Sequence, residues 1–223
     1  MYIDFITQVH KSTKRDYLGR VNDLEIPKWK AAEATKDFGY TYFDEPDRRY
    51  NYGGYYYQPG RWDNVINKMK DHYGIKPGDR ILDVGCAKGF MLHDFTKLIP
   101  GVEVTGIDIS QYAKDNAKEE VKDNIVVGNA KKLPFEDDSF DLVISLNTLH
   151  NMPCYEMLSA LKEIERVGKK HKYIVVESWR NEEEKVNLLY WQVTCRCFFA
   201  VDEWDWWFQQ ANYTGDHSFI YFE

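Results

Sequence analysis

One ten-residue segment constrains the fold more than any other part of the chain: ILDVGCAKGF, residues 81–90. Its apolar start predicts a buried strand, the small residues after it predict a tight turn, and Phe90 opens a helical pattern. Small side chains let a ligand approach the backbone, and a helix N-terminus offers free N–H groups. In open parallel sheets, ligands bind at such turns, outside the carboxyl ends of the strands. The segment therefore predicts an α/β fold with a ligand site beside residues 85–89.

Apolar strands alternate with helical patterns from residue 63 onward. The predicted strands are Arg80–Val84, Glu103–Ile109, Asn124–Val127, Phe140–Leu146, Tyr173–Glu177 and Ser218–Phe222. Short apolar strands separated by helices predict parallel βαβ units and a sheet covered on both faces. The last strand is predicted to be an edge strand or an antiparallel one.

The chain of 223 residues is long enough for one sizeable core. We predict a division near residue 62. Residues 1–62 are expected to form a helical extension that ends in a tyrosine-rich lid, and residues 63–223 the α/β domain. Nothing in the sequence indicates whether the protein is a monomer or a homodimer.

Two classes of ligand bind at a turn of this kind. A dinucleotide-binding turn has the pattern G-x-G-x-x-G, with a pyrophosphate at the helix N-terminus. Here Phe90 stands where the third glycine should be, and Asp83 precedes the turn. Negative charge at Asp83 opposes a pyrophosphate and suits a cationic ammonium group. The residues disfavour a nicotinamide cofactor, although an oxidoreductase remains an alternative.

Residues 81–89 resemble motif I of the class I S-adenosylmethionine-dependent methyltransferases, usually D-x-G-x-G-x-G, with Ala87 in place of the middle glycine. Three further stretches resemble that family in order and spacing: 106–110, 128–130 and 133–143. The resemblance covers about residues 62–178. It implies a Rossmann-like fold with a mostly parallel seven-stranded sheet, helices on both faces and an N-terminal cap.

The resemblance also implies the cofactor, S-adenosylmethionine, with S-adenosylhomocysteine as the product. Asp108, at the end of the second strand, would accept hydrogen bonds from both ribose hydroxyls. Asn129 would read the adenine edge. The residues assigned to cofactor binding are Asp83, Gly85, Cys86, Ala87, Gly89, Asp108, Ile109, Asn129, Ala130 and Asn147.

His150, just beyond the fourth strand, is the candidate general base. A neutral hydroxyl or ammonium acceptor must lose a proton during methyl transfer, and His150 resembles the L-H element of many small-molecule methyltransferases. A capping or pocket-lining histidine is the alternative. The chain lacks the Asn-Pro-Pro-Tyr element of enzymes that methylate planar amino groups, and residues 145–147 contain no acid. Nucleobase methylation and a metal requirement are therefore not expected.

Aromatic and arginine residues flank the predicted domain, where an acceptor wall would lie. Arginine pairs clamp carboxylates and phosphates, and tyrosines give a rigid wall with a polar tip. An aromatic mini-core with arginines paired to acids is the alternative. The candidate substrate-binding residues are Arg49, Tyr52, Tyr56, Arg61, Arg180 and Trp191.

A wider resemblance to bacterial methyltransferases of surface-polysaccharide and related pathways implies O-methylation of a small polar molecule that is sugar-like or phosphorylated. The second hypothesis is a non-catalytic module that binds S-adenosylmethionine or S-adenosylhomocysteine for regulation. An aromatic lid favours the enzyme, because a sensor needs no closed acceptor cavity.

The composition limits the kinds of partner that the protein is expected to bind. A formal net charge of −7 argues against nucleic acid. No run of 18 apolar residues or signal pattern is seen, so we expect no membrane partner and a cytoplasmic location. The cysteines lack metal-ligand spacing and are expected to be free thiols: Cys86, Cys154, Cys195 and Cys197.

Overall fold

The computed structural model describes residues 1–11, 15–46, 49–50 and 55–223. Its strands are β1 Arg80–Val84, β2 Glu103–Asp108, β3 Ile125–Val127, β4 Phe140–Leu146, β5 Gly168–Glu177 and β6 Asp216–Ile220. They form one sheet in the order β3-β2-β1-β4-β5-β6. Each predicted strand is present, and β5 begins five residues before the predicted start at Tyr173.

The helices alternate with these strands and also fill the N-terminal segment. They are α1 Thr7–Lys11, α2 Tyr17–Asn22, α3 Lys28–Thr35, α4 Tyr40–Phe43, α5 Asp63–Tyr73, α6 Phe90–Leu98, α7 Gln111–Asp115, α8 Cys154–Val167, α9 Glu182–Trp191 and α10 Val201–Gln210. Short 3-10 turns cover Lys122–Asn124 and Leu149–Asn151. α7 ends at Asp115, and Val121, six residues further on, is buried in the core.

The sheet decides between the alternatives for the last strand and corrects the number of strands. β6 is an edge strand, as one alternative predicted, and not an antiparallel one: all neighbouring strands are parallel, because α9 and α10 return the chain to the amino end of β5 before β6 begins. The described residues hold six strands and not seven. Residues 1–3 cover the outer edge of β6 instead: the N–H of Ile3 donates to the His217 carbonyl at 2.9 Å, and the N–H of His217 donates to the Met1 carbonyl at 2.9 Å.

Strand side chains alternate between two cores, one on each face of the sheet. Ile81, Ile144 and Val175 belong to the core that α5 and α6 cover. Leu82 and Val143 belong to the core that α8 and α10 cover. The α/β architecture with helices on both faces is as predicted.

The N-terminal segment packs against both the core and the turn after β1. Phe5 is buried in the same core as α5. Asp44, directly after α4, accepts hydrogen bonds from the Lys88 ammonium and the Tyr112 hydroxyl. The predicted boundary at residue 62 therefore separates segments that share contacts, and a functional division there stays a prediction.

Candidate cofactor and acceptor cavity

A cavity of about 880 Å³ lies at the carboxyl ends of the central strands. Its wall includes residues at or just after the ends of β1, β2, β4 and β5: Gly85, Asp108, Asn147 and Glu177. We call the wall formed by residues 83, 85–88, 90–91, 107–109 and 128–130 the cofactor half; Gly89, predicted to bind the cofactor, does not line the cavity. The wall formed by residues 10, 15, 55–58, 61–62, 150–153, 177 and 191–196 is called the acceptor half.

The turn after β1 has a backbone that only small residues allow. Gly85 has φ +84°, and an added Cβ would lie 2.0 Å from Thr148 Oγ1. Ala87 has φ +49°, a left-handed conformation that costs a residue with a Cβ more than it costs glycine. The N–H groups of Gly85 and Cys86 both donate to the Ile107 carbonyl. The turn is thus fixed against β2 and leaves its outer surface open to the cavity.

Asp108 closes the turn from the side of β2. Its Oδ2 accepts from the Ala87 N–H at 2.7 Å and its Oδ1 from the Ser110 N–H at 2.9 Å. Burial raises the pKa of Asp108, while these backbone hydrogen bonds act against the increase. The carboxylate is held rigidly and retains lone pairs for a ligand in the cavity.

Three residues form the outer end of the cofactor half. Ile109 is exposed by 56%, Ala130 is half-buried, and both line the cavity. Asn129 lines it as well, and its Oδ1 accepts from the Lys131 N–H at 3.0 Å. An apolar side chain beside an amide suits a flat heterocycle with a polar edge.

Asp83, the fourth residue of β1, places a carboxyl group at the base of the cofactor half. It is 5% exposed. Burial, and next the nearby charge of Asp108, raise the pKa of Asp83 to about 7. A cationic ligand in this half would favour the ionised form of both acids.

The inner end of the acceptor half is polar. His150 is 2% exposed and Glu177 is 7% exposed. His150 Nε2 lies 3.6 Å from Glu177 Oε2, which also accepts a hydrogen bond from the side-chain amide of Gln192. Burial lowers the pKa of His150 to about 3 and raises the pKa of Glu177 to about 8. Burial therefore favours the neutral form of both groups.

Two buried polar atoms of residues that line the cavity have no hydrogen-bond partner within the described residues: His150 Nδ1 and Asn147 Oδ1. Asn147 has φ +57°, and its amide nitrogen lies 3.4 Å from His10 Nε2. Burial, with the charges of Arg15 and Arg61, lowers the pKa of His10 to about 3. Unpaired buried polar atoms are costly, so these two point to a ligand that would complete them.

Arginines divide into two groups according to their distance from the cavity. Arg15, Arg61 and Arg196 line it, and no carboxylate in the described part of the chain pairs with their guanidinium groups. Arg15 lies over the Phe222 ring at 4.5 Å. The arginines that pair with carboxylates lie elsewhere: Arg49, Arg80, Arg166 and Arg180.

The structure brings only some of the candidate substrate residues to the cavity. Tyr56, Arg61 and Trp191 line the cavity. Arg49 does not, because Asp23 and Glu25 hold its guanidinium group at the surface. Arg180 borders a separate, smaller cavity and is bound by two acids, Glu184 and Glu223. Tyr52 lies outside the described residues, as does the Gly53-Gly54 pair.

The cavity residues that sequence reasoning missed include His10, Arg15, Glu177 and Gln192. Glu177 carried a signal, because an acid that ends a predicted parallel strand lies at the edge where ligands bind. No local pattern marks the others, since the fold brings them to the cavity from distant segments.

Neither a metal centre nor a membrane span is found in the described parts of the chain. No three His, Cys, Asp or Glu side chains are grouped there as metal ligands. No helix in these parts is both long and apolar enough to cross a bilayer.

The cofactor half fits a nucleoside with an amino-acid tail. Asp83 and Asp108 lie 25 residues apart in the sequence. Their strands, β1 and β2, are adjacent in the sheet, and Asp83 pairs with Gly106 in the register. The turn at Gly85 leaves no room for a side chain at that position, and no donor from the described residues reaches Asn147 Oδ1. These groups complement an ammonium, two hydroxyls and a heterocycle.

A family comparison decides between the remaining assignments. Residues 82–176 match the family model described as a methyltransferase domain. The match spans residues 82–176 of the 223, and it supports a place for this chain among the class I S-adenosylmethionine-dependent methyltransferases. That family implies the use of S-adenosylmethionine.

Individual relatives cover only part of the chain. A demethylmenaquinone methyltransferase from Staphylococcus aureus is 42% identical over 106 residues, which are 45% of this chain and 43% of the relative. The chain thus matches less than half the length of this curated relative.

Solved structures show a similar fold. A chain from the complex between the Haloferax volcanii Trm112 methyltransferase activator and a protein described as a methyltransferase has a TM-score of 0.52 at 22% identity, over 67% of this chain and 74% of that one. The MccD protein has a TM-score of 0.54 at 24% identity, over 70% and 72%. At these identities the likeness concerns the fold alone.

Proposed function

We propose that the protein transfers a methyl group from S-adenosylmethionine to a hydroxyl oxygen of a small anionic molecule, of the sugar-phosphate or hydroxy-acid class. One observation carries the proposal: arginines that have no carboxylate partner among the described residues line the same cavity as the turn after β1, in a chain whose net charge is −7. A positive wall in an acidic protein favours an anionic acceptor.

The residues of the cofactor half would hold S-adenosylmethionine. In this proposal Asp83 faces the ammonium group, and Asp108 accepts from the ribose hydroxyls. Ile109 and Asn129 border the adenine. When bound, the cofactor supplies an electrophilic methyl group and leaves as a neutral thioether that keeps the electron pair of the broken bond.

The residues of the acceptor half would align the second substrate. Arg61 and Arg15 would bind its carboxylate or phosphate, and Tyr56 and Trp191 would form an apolar wall around its body. Alignment and exclusion of water supply most of the rate for a donor that is already activated. His150, whose buried Nδ1 has no hydrogen-bond partner in the described parts of the chain, is the proposed first acceptor of the hydroxyl proton.

The proposal is tested with radiolabelled S-adenosylmethionine and a panel of acceptors. The panel contains glucose 6-phosphate, UDP-glucose, 4-hydroxybenzoate, and the neutral alcohols glucose and benzyl alcohol. We expect label in anionic acceptors and much less in neutral ones. A demethylated naphthoquinol belongs in the same panel, because the curated relative is named for such a substrate.

Two results would contradict the proposal. Binding of S-adenosylhomocysteine without transfer to any acceptor would support the regulatory module. Transfer to the naphthoquinol alone would replace an anionic acceptor with an apolar one.

A further inference from the structure

His150 and Glu177 form a buried pair at the inner end of the acceptor half. A role for His150 as the general base does not by itself explain why Glu177 lies beside it. His150 follows β4, and Glu177 ends β5, so two neighbouring strands bring the two side chains together. Their facing atoms, His150 Nε2 and Glu177 Oε2, are 3.6 Å apart. The other ring nitrogen, Nδ1, is buried and has no hydrogen-bond partner in the described residues. The imidazole therefore lies between Glu177 and an unfilled hydrogen-bonding position.

We propose that His150 and Glu177 form a proton relay, in which Glu177 is the positioning residue that finally holds the proton of the acceptor hydroxyl. This inference rests on the proposed methyl transfer to oxygen. It adds a residue that local sequence patterns did not single out, and it assigns His150 the role of a carrier and not of the final base.

Burial explains why the proton cannot stay on His150. A charged imidazolium in this environment is unfavourable, as the pKa of about 3 for His150 shows. Glu177 is neutral when protonated, so the same burial makes its carboxyl group the better site for the proton, with a pKa of about 8. Once a proton has bound His150 Nδ1, the free energy therefore falls further when the proton on Nε2 passes to Glu177.

The relay moves two protons and leaves the imidazole neutral. As the acceptor oxygen forms its bond to the methyl carbon, its O–H bond breaks and the proton binds His150 Nδ1. The proton on Nε2 then passes to the ionised carboxylate of Glu177. The imidazole has changed tautomer, Glu177 has become a carboxylic acid, and the acceptor has become a neutral ether. Glu177 later releases its proton to solvent.

The 3.6 Å separation is longer than a hydrogen bond, and such contacts often tighten only when substrate is bound. Gln192 limits how far Glu177 can move, because its amide donates to Oε2. The indole N–H of Trp204 donates to the Glu177 backbone carbonyl at 3.0 Å and fixes the end of β5. Glu177 is thus held beside His150 from both its side chain and its backbone.

Other titratable groups act on Glu177 from the surrounding elements. Arg15, from the N-terminal segment, lowers the pKa of Glu177. Burial raises the pKa of the Cys195 thiol and of the Tyr42 hydroxyl, and the charge of Glu177 adds to both increases. Both of those groups stay neutral as Glu177 titrates, so the pH dependence expected of the relay belongs to the pair.

Glu177→Gln is the test, because it keeps the size and the polar edge of the side chain but cannot take a proton. With the acceptor from the panel that wild type uses best, we expect kcat to fall by roughly 100-fold. KM for the acceptor and the Kd for S-adenosylhomocysteine should change by less than about threefold. Wild-type kcat/KM should rise with pH as Glu177 ionises, up to a plateau above about pH 8, and the variant should lack this rise.

Three further variants make the result specific. Glu165→Gln, which removes a half-buried carboxylate paired with Lys172 far from the cavity, should keep wild-type kcat and its pH profile. His150→Gln should lose about as much kcat as Glu177→Gln. The double variant should lose little more than either single one, because the two groups act as a unit.

A second readout needs no turnover. The pKa of Glu177 is higher in the folded protein than in the unfolded chain, so its ionisation destabilises the fold as pH rises from about 4.5 to about 8. Denaturation of the cofactor-free protein should show a smaller loss of stability over that range in Glu177→Gln than in wild type. Equal losses would overturn the assignment of a raised pKa to Glu177.

The outcomes separate the relay from the proposed function. Wild type without transfer to any acceptor would overturn the proposed function and the relay with it. Active wild type with an equally active Glu177→Gln would overturn the relay alone. A variant that loses kcat but keeps the wild-type pH profile would leave Glu177 with a packing role only, and would also overturn the relay.

Discussion

The cofactor half of the cavity is built from residues that are close in sequence, whereas the acceptor half is assembled from segments far apart in the chain. Residues 83, 85–88, 90–91, 107–109 and 128–130 lie at or after the ends of successive parallel strands and meet at one edge of the sheet. The acceptor half joins residues 10, 15, 55–58 and 61–62 to residues 150–153, 177 and 191–196. The shape of the cofactor half depends on the sheet alone. The shape of the acceptor half depends on how the N-terminal segment packs.

This difference predicts how each half responds to change. Substitutions in the cofactor half should disturb the backbone and lower both stability and cofactor affinity. Substitutions in the acceptor half should change the use of the acceptor and leave the cofactor bound. The predictions below test that separation.

The largest effect is expected for Gly85→Ala. Its Cβ would lie 2.0 Å from Thr148 Oγ1, and the residue has φ +84°. Overpacking together with backbone strain should lower the free energy of unfolding by about 3 kcal/mol, and binding of S-adenosylhomocysteine should be lost. Urea denaturation and calorimetry measure the two effects.

Gly78→Ala is the matched control, because it has a similar φ of +88° but nothing within 4 Å of the added Cβ. It should cost about 1–2 kcal/mol and leave binding intact. Equal losses in the two variants would mean that strain, and not the approach of β4 to the turn, limits position 85.

A comparable effect is expected when the pH crosses the pKa of Asp83, about 7. An ammonium ligand prefers the carboxylate, so S-adenosylhomocysteine should bind more tightly at pH 8 than at pH 6, with release of a proton. The folded protein holds this proton more tightly than the unfolded chain does, so the stability of the cofactor-free protein should fall as pH rises from about 4 to about 7.

Asp83→Asn is expected to remove both trends. It should stabilise the cofactor-free protein above pH 7 by an amount on the order of a few kcal/mol, while it weakens ligand binding. Calorimetry in buffers of different ionisation enthalpy counts the protons released. A pH-independent affinity in wild type would show that Asp83 does not face the ammonium group.

A smaller loss is expected for Asp108→Asn. A charged acceptor for two ribose hydroxyls should contribute about 1.5–3 kcal/mol to binding. Calorimetric titration with S-adenosylhomocysteine measures it, and Asp115→Asn on α7, whose carboxylate accepts only from Gln111 among the contacts of the described residues, is the control. Unchanged affinity in Asp108→Asn would exclude the proposed position of the ribose.

The smallest effect is expected in the acceptor half. Arg61→Gln should raise the KM for an anionic acceptor about tenfold, since a charge-assisted hydrogen bond is lost, and should not change the Kd for S-adenosylhomocysteine. Arg49→Gln should change neither, because Arg49 pairs with Asp23 and Glu25 away from the cavity. An effect of Arg49→Gln as large as that of Arg61→Gln would contradict the division of the arginines into two groups.

Most of the fold could be predicted because its signals are local. The six strands were located from apolar runs, and the turn at residues 85–89 from its small residues. The number and the direction of the strands at the β6 edge of the sheet could not be predicted. Residues 1–3 cover the edge of β6, and that contact joins the two ends of the chain.

The substrate residues were the hardest to predict. Arg49 and Arg61 lie at the two ends of the tyrosine-rich segment, which made them equal candidates, yet of the two only Arg61 lines the cavity. The difference comes from Asp23 and Glu25, which are more than 20 residues away from Arg49 in the chain and hold its side chain.

The sequence by itself determined the sheet, its helices and the turn that carries the family resemblance, because strand, turn and helix signals act over a few neighbouring residues. Only the tertiary structure decided which charged side chains meet inside the cavity. His150 and Glu177 come from different strands, and Arg15 reaches them from the other end of the chain. Burial, which sets the protonation of all such groups, depends on the packing of distant segments and cannot be read from neighbours in sequence.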